Sequence, residues 1–123
     1  MKINIQPINL ILTPDISAYL EKKLNSLKKL VDEKDDSVFF DIELEKTTEH
    51  HKKGDIFRAE INVHIAGKRF TAESENESIN AALDEMKDEI AKEIKNYKDK
   101  QKTSAKREGT IGKNMIKGLD EEI

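Results

Sequence analysis

The sequence predicts an α+β domain in the order β-α-β-β-β-α: a four-stranded sheet with two amphipathic helices packed on one face and the other face open. Three observations lead there. Two stretches, opening at Ile16 and Ile79, repeat apolar residues every three or four positions, the spacing of one helical face. Three others, around Phe40, Ile61 and Phe70, alternate apolar and polar residues with the period of two of a half-buried strand. The composition is also lean, 36% apolar against 38% charged over 123 residues. That mixture suits one layer of helices on a sheet better than a thick, multilayered enzyme.

Residues 2–6 put Ile3 and Ile5 on one side of a short first strand. Thr13-Pro14-Asp15 is a helix start. The threonine hydroxyl can cap open N–H groups, proline fits the first turn, and the aspartate suits the positive end. Ile16, Leu20, Leu24, Leu27 and Val31 form the apolar stripe, with Lys22, Lys23, Lys28 and Lys29 off it. After a charged loop over residues 32–37, residues 38–46 form a strand. Phe40, Ile42 and Leu44 point inward, and Asp41, Glu43 and Glu45 point to solvent. A polar connection follows over residues 47–55. Phe57, Ala59, Ile61, Val63 and Ile65 then alternate with Arg58, Glu60, Asn62 and His64 as a third strand. Ala66-Gly67 is a tight turn, and residues 68–74 return with Phe70 and Ala72 inward. Strands polar on one side predict an antiparallel meander covered on one face. The second helix begins near residues 76–78, carries the stripe Ile79, Leu83, Met86, Ile90, Ile94 and Tyr97, and runs to about Lys102. The domain is thus expected over residues 1–102. Residues 103–123, with three glycines and no sustained apolar period, are expected to be a mobile charged tail.

Composition excludes several classes of function. Without cysteine there are no disulfides or thiolate metal sites, and a reducing compartment is expected. The apolar stretch near Ile8 to Leu12 is too weak for a secretory signal, and no run approaches membrane-spanning length. A cytoplasmic protein with no membrane partner is expected. His50-His51 lacks the further ligands a metal site needs, and His64 falls on an outward strand position. The carboxylates alternate into open solvent, where no cleft raises a pKa for acid catalysis. The five glycines are isolated, so no phosphate loop is present, nor is there a serine elbow or a cysteine nucleophile. No enzyme activity, catalytic residue, metal, cofactor or small-molecule substrate is expected.

The net charge of -3 conceals segregation. Residues 32–49 hold eight acidic residues against two lysines, and residues 98–117 hold seven basic residues against two acidic ones. Either run could be ordinary solvated surface, but such segregation also orients docking on a polyanion. The two helices add Lys22, Lys23, Lys28 and Lys29 to Lys87, Lys92, Lys95, Lys98 and Lys100. If the apolar stripes dock side by side, the outward flanks join into a lysine ridge, diluted by Glu85, Asp88, Glu89 and Glu93. Lysines so arranged displace counterions from phosphates and bind in a salt-sensitive, largely sequence-independent way. Folded RNA, recognised mostly by shape and backbone, fits a ridge without exposed aromatics.

Several segments together resemble the ribosome hibernation promoting factor and ribosome-associated inhibitor family, the short type of sigma-54 modulation-like protein. They are Lys2-Ile-Asn-Ile5, Leu12-Thr-Pro-Asp-Ile16, Leu24-Asn-Ser-Leu-Lys-Lys-Leu30, Ala81-Ala-Leu-Asp84 and Lys98-Asp-Lys100, in order over residues 1–102. The resemblance implies docking across the tRNA and mRNA channel of the small ribosomal subunit, contact with ribosomal RNA through basic helix residues, and silencing of idle ribosomes. Lys23, Lys29, Lys92, Lys98 and Lys100 fall where that family is basic; with Lys22, Lys28 and Lys95 they form the expected RNA-binding set. Ser17, Ser26, Glu89 and Asn96 stand where the family is often basic, and Ser78-Ile79-Asn80 replaces its usual "DMY". The free protein is expected to be a monomer, with no second, dimerising domain. The rival reading is a protein-interaction module that uses the open acidic sheet face or an exposed strand edge.

Overall fold

Alternation along each strand sorts the side chains into a covered and an uncovered set. The computed structural model describes residues 1–48 and 54–107. Its elements are β1 (Lys2–Ile8), α1 (Pro14–Lys28), β2 (Phe39–Thr48), β3 (Asp55–Ile65), β4 (Lys68–Asn76) and α2 (Ile79–Arg107). One sheet holds all four strands in the order β1-β2-β3-β4. Its register aligns Ile5, Ile42, Ile61 and Ala72 in one row of the covered face, and Ile3, Phe40, Val63 and Phe70 in the next.

Only part of the sheet is the expected antiparallel meander. β2, β3 and β4 pair antiparallel, but β1 pairs parallel to β2, so the sheet is mixed. The connection explains this. α1 carries the chain back along the sheet before β2 begins, and a strand–helix–strand unit returns its second strand in the direction of the first.

Thr13 caps α1, its Oγ1 accepting from the Ile16 N–H at 3.3 Å, with Pro14 in the first turn. Ser78 does the same for α2, its Oγ accepting from the Ala81 N–H at 3.4 Å. Leu20, Leu24 and Leu27 from α1 meet Leu83, Met86, Ile90 and Ile94 from α2 over the covered sheet face, all buried. Ala82 and Ala91 are buried as well, and their small side chains let α2 lie close to its neighbours. Each large side chain removed from water contributes about 1.5–3 kcal/mol, so this single layer accounts for the fold's cohesion. The one buried polar side chain among the described residues is Ser74, which donates to Glu85 of α2 at 2.6 Å. Asn76 donates to the other oxygen of that carboxylate at 2.7 Å, tying the end of β4 to α2.

α2 extends past the expected end at Lys102 to Arg107. Loss of the apolar stripe does not stop a helix that is already nucleated, and Ala105, Lys106 and Arg107 are good helix formers. The remainder of the expected tail, residues 108–123, and His50 and His51 lie outside the described residues.

Candidate nucleic-acid interface

The outward side of the helix layer gathers the lysines. Lys22 on α1 and Lys29 at its C-cap are exposed; on α2, Lys92, Lys95 and Lys100 are exposed, and Lys87 and Lys98 are half-buried. Ala91 offers only a methyl group where its neighbours are long, and leaves a shallow depression of about 380 Å³ on α2. Lys87, Lys92 and Lys95 border it, together with Asp88, Asn96 and Asp99. Ammonium groups around a concave patch are compact point charges suited to phosphate oxygens rather than to base edges.

Two of the expected lysines are placed differently. Lys28 is half-buried on the far flank of α1, where it lines a second groove with Ile3 and Ile5 of β1. It therefore stands apart from the ridge formed with α2. Lys23 faces the junction of the helices. Its Nζ lies 2.8 Å from Asp84 Oδ1, and its side chain is 20% exposed. The ammonium also sits 4.9 Å from the centre of the Tyr19 ring, and Tyr19 Oη donates to the same Asp84 oxygen at 2.6 Å. Each titration follows from these contacts. The hydrogen bond from Lys23, then that from Tyr19, holds the Asp84 carboxyl below the ordinary carboxylate range. The hydrogen bond to Asp84 raises both the Lys23 ammonium and the Tyr19 phenol.

The sheet's uncovered face is opposite in character. Glu43, Glu60 and Glu73 stand side by side in one cross-strand row; Glu45, Arg58 and Glu75 form the next. The Arg58 guanidinium lies among four of these carboxylates. It bonds Glu43, donates to Glu45 at 3.0 Å, and approaches Glu73 at 3.6 Å and Glu60 at 3.7 Å. Burial works against its charge, but the hydrogen bonds to Glu45 and Glu43 outweigh burial and raise its pKa. Glu43 and Glu45, expected to project into solvent, are therefore half-buried against this one arginine, as is Glu60, while Glu73 stays exposed. Neither network was visible in the sequence. The period of two gives a residue's face but not its cross-strand neighbour, and the period of 3.6 gives a stripe but not the height of one helix against another.

The groove beside α1 is mostly apolar, about 300 Å³, lined by Ile3, Ile5, Leu12, Leu20 and Leu24 with Ser17, Glu21 and Lys28. β1 is an edge strand, and nearby Ile11 is 83% exposed. Among the described residues no group of His, Asp or Glu is arranged to hold a metal ion. No described helix is long and apolar enough to cross a membrane.

Comparison with known proteins places this layout. Residues 3–102 match the family model described as sigma 54 modulation protein / S30EA ribosomal protein. A ribosome hibernation promoting factor from Klebsiella oxytoca is 28% identical over 102 residues, covering 83% of this chain and 98% of its own. The N-terminal domain of protein Y from Thermus thermophilus superposes with a TM-score of 0.59 at 28% identity, over 79% of this chain and 99% of its own. A ribosomal subunit interface protein from Coxiella burnetii has the same fold, with a TM-score of 0.61 at 17% identity, over 80% of this chain and 98% of its own.

Proposed function

The chain belongs to the sigma 54 modulation protein / S30EA ribosomal protein family, and on that premise we propose that it is a ribosome hibernation factor. In this reading it docks on the small ribosomal subunit at the tRNA and mRNA channel, contacts ribosomal RNA through its helix layer, and inhibits translation by idle ribosomes. The family is one of ribosome-associated factors rather than of enzymes, and a partner of that kind makes the cytoplasm the site of action. The supporting observation is the division of charge between the two faces. Lys22, Lys29, Lys92 and Lys95 are exposed on the helix side, while six carboxylates from Asp41, Glu43, Glu45, Glu60, Glu73 and Glu75 share the uncovered sheet face. A polyanion attracts the first face and repels the second, so the molecule approaches RNA in one orientation. Of the expected set, Lys22, Lys29, Lys92, Lys95, Lys98 and Lys100 remain the phosphate contacts. Co-sedimentation with isolated small subunits, with in vitro translation measured in parallel, tests the proposal. Binding and inhibition that rise together with protein concentration support it; sedimentation apart from the subunit contradicts it.

A second reading has one observation in its favour. Among the described residues β1 leaves an edge of the sheet unpaired beside an apolar groove and an exposed isoleucine, a surface able to accept an extended peptide as a fifth strand. On that reading the chain does not bind ribosomes, and Ile11→Asp abolishes binding of the partner.

A further inference from the structure

Among the lysines expected to contact RNA, Lys23 is the one whose ammonium lies against a carboxylate of the opposite helix. Asp84 Oδ1 receives Lys23 at 2.8 Å and Tyr19 at 2.6 Å, and the ammonium covers the Tyr19 ring. Tyr19 and Lys23 are one turn apart on α1, and Asp84 lies near the start of α2. Apolar packing between two helices tolerates small slides and rotations. A single oxygen accepting two directional hydrogen bonds does not, and the charge on two of the three partners strengthens those bonds.

We propose that Lys23 is a positioning residue rather than a phosphate contact: with Tyr19 and Asp84 it clamps α1 to α2 and fixes the spacing of Lys22 and Lys29 from Lys92 and Lys95. The inference rests on the RNA-binding reading of the lysine ridge. It assigns an acidic residue a favourable role within a surface that binds a polyanion. Phosphates are spaced by the RNA, so a ridge that holds its ammonium groups at fixed separations loses less freedom on binding than one whose helices shift.

The consequence differs from simple charge counting. Asp84→Asn and Asp88→Asn make the same change in charge one turn apart on α2. Asp88 is exposed beside Lys87 at the basic depression and takes no part in the clamp. Counting charge alone, both variants bind small subunits more tightly. The clamp predicts that Asp88→Asn tightens binding by roughly threefold at low salt, whereas in Asp84→Asn lost preorganisation offsets that gain and binding is no tighter than that of the wild type. Tyr19→Phe, which changes no charge, weakens it several-fold. Affinities for isolated small subunits are read below each variant's melting temperature. Stoichiometric titration gives the active fraction, which a loss of fold lowers and a loosened clamp leaves whole. Tighter binding by Asp84→Asn overturns the proposal. Should that variant fail to fold, Tyr19→Phe decides: unchanged affinity overturns the clamp and weaker binding supports it. Absence of binding by the wild-type chain is a separate result, which removes the ribosome reading and this inference with it.

Discussion

Ala66 holds a backbone conformation that alanine disfavours. In the two-residue turn between Ile65 and Lys68, Ala66 and Gly67 have φ of 51° and 78°. Both central residues at positive φ make the turn a type I′ hairpin, for which Asn-Gly is the preferred pair. An L-residue with a Cβ pays about 1–2 kcal/mol there, and asparagine is the usual exception. Ala66→Asn should therefore raise the denaturant midpoint, adding about 0.5–1 kcal/mol with an unchanged m-value; a lower midpoint would contradict this turn. The turn was legible because alternation on both sides placed it, although alanine itself gives no signal. Arg58 is the opposite case. Its sequence position marks it as outward, and only the register brings four glutamates around it. Removing it leaves Glu43, Glu60 and Glu73 adjacent without a counter-charge. Arg58→Gln should cost about 1–2 kcal/mol, more at low salt. Chemical denaturation at two ionic strengths checks both the size and the salt dependence.

At the level of elements, both helix stripes and the three long strands were readable because each rests on local periodicity, and Thr13-Pro14-Asp15 marked the start of α1; the Ser78 cap of α2 was not read. The parallel pairing of β1 was not read, since its short pattern carries no direction; only the intervening helix does. The stripes also gave the lysines an outward sense without separating Lys22 and Lys29 on the crest from Lys23 at the seam and Lys28 on the β1 side. That distinction selects the variant. Lys29→Glu with Lys92→Glu reverses one exposed charge on each helix, leaves the clamp intact and should abolish small-subunit binding while the circular dichroism spectrum stays native. Binding by the folded double variant would mean that another surface docks. The clamp has its own pH signature. Asp84's carboxyl is depressed, so its contribution is present above the unfolded value of about 4 and fades as pH falls through the folded one. Lys23 is raised, so its contribution holds below about pH 10 and is lost as pH rises through the folded value. The melting-temperature difference between wild type and Asp84→Asn should be flat from about pH 5 to 9 and shrink below about 4. With the Asp84 side chain 45% exposed, it should correspond to less than about 1 kcal/mol. A difference that grows on acidification would contradict the ion pair.

For the molecule as a whole, one layer of helices separates two faces of opposite charge, and a net charge of -3 hides the division. An average over the chain disfavours a nucleic-acid partner; the fold, by sorting residues to faces, gives the helix layer a lysine-rich side on which the proposed partner would dock. In the proposed function, lysines on the helix face bind ribosomal RNA by releasing counterions from its phosphates. The most direct test is affinity for the isolated small subunit as a function of salt. With about six lysine–phosphate contacts, a fourfold rise in monovalent salt should weaken binding by about a thousandfold, with a linear plot of log affinity against log salt. An affinity that stays flat over that range would contradict the claim.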